Sequence, residues 1–183
     1  MKKFTFAEDV TQIDPKLEFR EKKIEKEIIG LQKYYKEERL IDQDFIDFTI
    51  TNKDFHYTDF LFNKFGLSIV SQKLLKIISN HITCLHDIYI VSLFDEKDNT
   101  VDNCPRYYLI HIREHKPIID TVNSLISRTS DRIHQGFLIK PKFYPQASNE
   151  CFVRDSTYQF AIYVNEKFVD ECKRQNISGF DIL

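Results

Sequence analysis

Two stretches of this chain repeat one pattern, and the repeat limits the available folds more than any other feature. Near the end, Tyr158-Gln159-Phe160-Ala161-Ile162-Tyr163-Val164 is an apolar run rich in β-branched and aromatic residues, which suits a buried strand. Asn165 follows, a residue whose side-chain oxygen can cap a helix. Phe168, Val169 and Cys172 then share one helical stripe within a charged segment. Ser178-Gly179 breaks that helix, and Phe180 to Leu183 returns as a last strand. The same order occurs earlier: Val70 aligns with Val164, Ser71 with Asn165, Lys73 with Lys167, Leu74 with Phe168, Leu75 with Val169 and Ile78 with Cys172. An apolar run from Ile82 to Phe94 follows the first copy. The chain reads as two strand–cap–helix–strand modules with other material around them.

With 183 residues the chain is one domain, readable as two halves (about 45–95 and 105–183) preceded by a helical N-terminal segment (14–40). A hydrophobic fraction of 42% fills a globular interior, and 30% charged residues cover its outside. The net charge of −2 gives no general case for nucleic-acid binding, which usually needs a basic face. No long uncharged apolar run offers a transmembrane helix. Met1-Lys2-Lys3 starts like a signal peptide, but Glu8 and Asp9 interrupt it, so a cytoplasmic location is expected. Cys84, Cys104, Cys151 and Cys172 form no Cys-x-x-Cys pair and are expected reduced, with Cys84 and Cys172 buried.

In order along the chain, Lys3 to Val10 reads as a short strand, and Asp14-Pro15 as a helix start. From Lys16 to about Leu40, Phe19, Ile24, Ile28, Leu31 and Tyr35 fall at helical spacing among dense Glu and Lys, predicting one long solvated helix. Asp44 to Thr51 alternates as a half-buried strand. Ile88 to Phe94 and Tyr107 to Ile112 are strands, Phe137 to Ile139 and Cys151 to Arg154 shorter ones, and Lys140 to Asn149 a loop. The expected fold class is α+β: mixed sheets with a long N-terminal helix and two similar strand–helix–strand modules.

Catalytic motifs are sparse. There is no phosphate-binding glycine loop, Gly-x-Ser-x-Gly elbow or His-Glu-x-x-His helix. His111, Glu114, His115 and Asp120 make the most suggestive cluster, the set a metal-dependent hydrolase would use. The run before them reads as strand, which favours two exposed histidines at a strand exit. No catalytic residue, cofactor or metal is assigned. One charge asymmetry stands out: Arg128, Arg132, Lys140, Lys142 and Arg154 outnumber Asp131 and Glu150 and interleave with Phe137, Phe143, Tyr144 and Phe152. Arg and aromatics anchor protein interfaces, and the same types stack and neutralise RNA.

Ser68 to Leu75, Ala161 to Val169 and the ending Ile177-Ser178-Gly179-Phe180-Asp181-Ile182 resemble a family of bacterial immunity proteins from polymorphic-toxin systems. That family has an apolar strand, a Ser-type cap and a helix twice, the second copy closing on a Thr/Ser-Gly-apolar tail. Between the copies it has a Tyr-Tyr-apolar strand, then an apolar-Asp pair and a Ser; Tyr107-Tyr108-Leu109-Ile110, Ile119-Asp120 and Ser124 are similar to these. Asn165 departs from the usual Ser, though both residue types cap. The resemblance covers roughly Phe45 to Leu183 and leaves the expected first helix unmatched. It implies a small cytoplasmic protein that binds a cognate toxin domain and neutralises it by stoichiometric inhibition, and it supplies no catalytic residues. Arg128, Arg132, Lys140, Lys142, Phe143, Tyr144 and Arg154 are then the candidates for the toxin interface, suited to an acidic partner. Glu18, Glu21, Glu25, Glu27, Glu37 and Glu38 would suit a basic nuclease. The alternatives are an enzyme built on His111, Glu114, His115 and Asp120, and an RNA-binding accessory protein using the Arg128–Arg154 region.

Overall fold

A computed structural model describes residues 1–6, 17–51, 57–127 and 137–183 of the chain. In chain order its elements are β1 (Lys2–Phe6), β2 (Leu17–Phe19), α1 (Lys22–Glu25, continued by a π-helical turn over Lys26–Gly30), a 3-10 turn (Lys33–Tyr35), β3 (Phe45–Ile50), β4 (Phe60–Leu61), β5 (Ser68–Ser71), α2 (Gln72–His81), β6 (His86–Phe94), β7 (Tyr107–Ile112), β8 (His115–Lys116), β9 (Leu125–Ser127), β10 (Phe137–Lys140), a second 3-10 turn (Pro145–Asn149), β11 (Val153–Asp155), β12 (Ile162–Val164), α3 (Glu166–Arg174) and β13 (Phe180–Ile182). The chain is thus a strand-dominated mixed α/β protein, which corrects the expected α+β fold led by a long helix.

The long helix is replaced by a strand because its first residues pair with β3. Leu17 and Phe19 sit two residues apart, the period of a strand, and both are buried as β2 pairs antiparallel with β3, Leu17 opposite Ile50 and Phe19 opposite Phe48. Helical structure starts only at Lys22, and it ends where Gly30 meets a left-handed Gln32 at φ 54°. Leu31, placed on the expected apolar stripe, is 53% exposed. The dense Glu and Lys stabilise whatever helix they sit on, but they do not decide where it begins. Val10 and the Asp14-Pro15 start signal lie outside the described residues.

Both capped helices are present. Ser71 Oγ accepts the Leu74 N–H at 3.2 Å at the start of α2, and Asn165 Oδ1 accepts the Phe168 N–H at 3.0 Å at the start of α3. Leu74, Ile77 and Ile78 are buried on α2, as are Phe168, Val169 and Cys172 on α3, and the two helices pack on one another.

Their strands follow one plan. The six-stranded sheet runs β2-β3-β6-β7-β5-β4, and the five-stranded sheet β13-β1-β12-β11-β8. In the first, β5 and β6 flank α2 in sequence but are separated by β7, antiparallel to both. In the second, β12 and β13 flank α3 but are separated by β1, again antiparallel to both. Each module is therefore a strand–helix–strand unit whose two strands run parallel with a third inserted between them. The inserted strand is β7, which directly follows β6, in the first module and β1, from the start of the chain, in the second. A hairpin of β9 and β10 stands apart.

The six-stranded sheet is apolar on both faces. Ile46, Phe48, Ile69, Tyr89, Val91, Leu93, Tyr107 and Leu109 form one core with Ile24, Ile28, Tyr34, Leu40 and Ile41 of the N-terminal segment. On the other face Val70, Ile110 and Ile112 join α2, α3 and the five-stranded sheet in a second core. Alternation along β7 sends successive side chains to the two cores in turn.

Candidate protein-interaction surface

The second face of the six-stranded sheet is covered over only part of its width. α2 lies against β5 and β7. The neighbouring β6 and β3 send Ile88, Ile90 and Phe45 to the same side, where they are 40%, 56% and 49% exposed. Register joins them into one surface: Phe45 stands beside Ile90, Ile90 opposite Tyr108, and Ile88 opposite the buried Ile110. Where α2 meets this open half, a groove of about 430 Å³ has Tyr108, Leu75 and Lys76 among its walls. Adjacent exposed apolar residues on a rigid sheet, rimmed by polar groups, are what a protein-binding site requires. Asp47, two residues past Phe45 on β3, and Lys76 on α2 mark opposite flanks.

Among the described residues, the sequence-derived interface candidates do not all lie on one surface. Arg128 and Arg132 lie outside the described residues. Lys140 and Lys142 are exposed at the end of β10 and just beyond it. Phe143 is half-buried, its ring edge-on to Tyr163 at 5.4 Å and its backbone bridged to Ile119, while the Tyr144 N–H donates to the Ile118 carbonyl at 3.0 Å. These two aromatics tie the loop down. Arg154 is the clear correction: it is 1% exposed. Its guanidinium lies 4.7 Å from the Tyr34 ring centre and 5.1 Å from that of Tyr35, and it donates to the Gln159 carbonyl. It is an internal cation and offers nothing to an RNA or a partner.

The enzyme candidates point apart. His111 is fully buried, with Nε2 3.1 Å from the Lys36 carbonyl and Nδ1 4.0 Å from Asp87, and burial pushes its pKa down to about 4. Glu114 accepts the Leu85 N–H at 2.9 Å. His115 sits beside Arg154 across the β8–β11 ladder, and burial lowers its pKa too. Asp120 accepts the N–H groups of Val122 and Asn123, both at 3.1 Å, and the Asn123 amide, bonds that lower its pKa. Among the described residues no group of three or more His, Cys, Asp or Glu is placed to hold a metal ion. The strand-exit reading of two exposed histidines fails as well, since His111 faces the inner core beneath the N-terminal segment.

The acidic run is largely neutralised in place. Glu18 faces Lys64, Glu25 Lys22, Glu27 Lys33 and Glu38 Lys36 in ion pairs of 2.6–3.8 Å. All four cysteines are free, with Cys84, Cys151 and Cys172 buried; burial raises the thiol pKa of Cys84 and Cys172 to about 12 each. Cys104 is half-buried, donates to the Val101 carbonyl at 3.1 Å and also has a raised pKa, so it is no activated nucleophile.

Sequence reasoning missed Phe45, Ile88 and Ile90. The signal was present in part: Phe45 stands out of phase with Ile46, Phe48 and Ile50, so alternation already assigns it to the other face. The unbroken apolar run Ile88-Tyr89-Ile90-Val91 concealed the rest, because such a run describes a strand buried on both faces.

One further pair of residues is placed by the motifs that carry the family resemblance. Asp59 accepts Ser71 Oγ at 2.6 Å, and it accepts the Ser178 N–H and Oγ at 3.1 and 3.2 Å. The cap of the first module and the tail of the second thus meet on one carboxylate. Among the described residues no helix is long and apolar enough to cross a membrane. Compared with known proteins, the chain matches no family model and no curated protein.

Proposed function

We propose that this chain is a cytoplasmic immunity protein that binds a cognate bacterial toxin domain and neutralises it by stoichiometric inhibition. The observation that carries the reading is the uncovered apolar row of Phe45, Ile88 and Ile90 on a sheet otherwise covered on both faces. Leaving large side chains half exposed on an ordered sheet costs solubility, and a partner that covers them removes that cost. The two capped modules, joined through Asp59, support the same reading, because they tie the first module to the tail of the second beside the sheet that carries the row. His111, Glu114, His115 and Asp120 each make contacts within the fold, which supports a reading by binding over one built on that cluster.

Co-expression tests this. The toxin domain encoded directly upstream of the gene, produced alone, should stop growth. Produced with this chain it should leave growth intact, and the two should purify as one complex. Continued toxicity with no complex would contradict the reading.

A further inference from the structure

We infer that the groove between α2 and the open half of the six-stranded sheet receives an amphipathic helix of the toxin domain, apolar face down and acidic along the edge that meets α2. This rests on the immunity reading and specifies its interface. Three observations lead to it.

The first is spacing. Strands lie about 4.8 Å apart, so a helix that covers β5 and β7 leaves its neighbour's place about 10 Å away, over β6 and β3. That place is one helix wide, and it is where Ile88, Ile90 and Phe45 remain exposed. The second is shape and chemistry. Tyr108 and Leu75 line the groove on the α2 side, so an inserted helix would touch apolar atoms on its sheet face and on one flank, as packed helices on a sheet do. β6 spans nine residues, a length of roughly 30 Å at strand rise, enough for several helical turns lying beside α2. The third is charge. Lys76 lines the groove, and Arg106 lies at its end, where its carbonyl accepts the Gln72 N–H at 2.9 Å. Both cations are exposed, and neither is in an ion pair among the described residues. An incoming helix with Glu or Asp on that edge would pair them, and complementary rim charge sets register and association rate.

The toxin domain encoded beside the gene is the probe, with affinity read by calorimetry. Ile90→Asp should weaken binding about a hundredfold, because it puts a charge at the centre of the apolar row. Lys76→Glu with Arg106→Glu should weaken it about tenfold and reduce its dependence on salt. Lys142→Glu, on the far loop, should stay within about twofold. Position 90 is open, so Ile90→Asp should keep the wild-type melting temperature; if it does not, the charge-reversed pair decides alone. A photo-crosslinker at position 90 should label a helical segment of the toxin. A complex indifferent to all three groove changes, or a crosslink to a strand or loop, overturns the helix-in-groove inference and leaves the immunity reading standing. A homodimer that Ile90→Asp dissociates assigns the face to a second copy and overturns it too. Failure to form any complex overturns both.

Discussion

Gly179 shows how much one residue carries. Its φ of 87° is a left-handed conformation, and a Cβ there would collide with the Phe60 carbonyl oxygen and the Thr58 side chain. The tail after α3 can reach the first module only through a residue without a side chain, and Ser178 uses that approach to bind Asp59. Gly179→Ala should therefore lower stability by about 3 kcal/mol or more, measured by urea denaturation; an effect within about 0.5 kcal/mol would show that the approach is not constrained. His111 gives a second expectation. Its folded pKa of about 4 lies below the ordinary 6.5, so between those values the unfolded chain takes up a proton that the folded one refuses. Its contribution to stability is complete above pH 6.5 and is lost as pH falls toward 4, at most about 3 kcal/mol in total. His115 shifts in the same direction. Denaturation midpoints between pH 7 and 4.5 should fall steeply in the wild type and less so in His111→Gln; parallel curves would contradict the assignment. The sequence showed a helix breaker at Gly179 and a loose histidine at 111. Neither the near-contact at Phe60 nor the burial beneath Tyr34 could be read there, since both depend on partners more than 70 residues away.

At the scale of elements, local chemistry was legible where it was complete within one segment. The caps Ser71 and Asn165, the stripes behind them and the strands at 88–94 and 107–112 each follow from a dozen residues at most. The N-terminal segment was not legible, because Leu17 and Phe19 satisfy a strand period and a helical stripe begins right after them; only pairing with β3 decides. The caps also differ in a way that can be measured. The Asn165 side chain caps its own helix, whereas Ser71 Oγ both caps α2 and donates to Asp59. Asn165→Ala should cost about 1 kcal/mol, and Ser71→Ala about 2 kcal/mol because the Asp59 carboxylate also loses a donor. Equal costs in thermal melts would mean that the Asp59 junction adds nothing.

For the whole molecule, the two modules share one topology that the alignment of Val70 with Val164 and Ser71 with Asn165 only hinted at. Each takes its middle strand from outside the module: β7, the next strand after β6, for one, and β1, from the other end of the chain, for the other; the second insertion has no local pattern to encode it. The same long-range placement decides which apolar faces are covered. It buries Arg154, against the basic-surface expectation, and leaves Ile88 and Ile90 open, against the pattern of a buried run. On the proposed reading, the toxin domain covers this uncovered row, and one molecule of the chain is consumed for each toxin molecule inhibited. The most direct measurement is a titration of the purified cognate toxin domain with this chain, following residual toxin activity. Stoichiometric neutralisation predicts a linear fall to near zero at one equivalent. Loss of activity at far below one equivalent, or activity that persists beyond it, would contradict stoichiometric neutralisation.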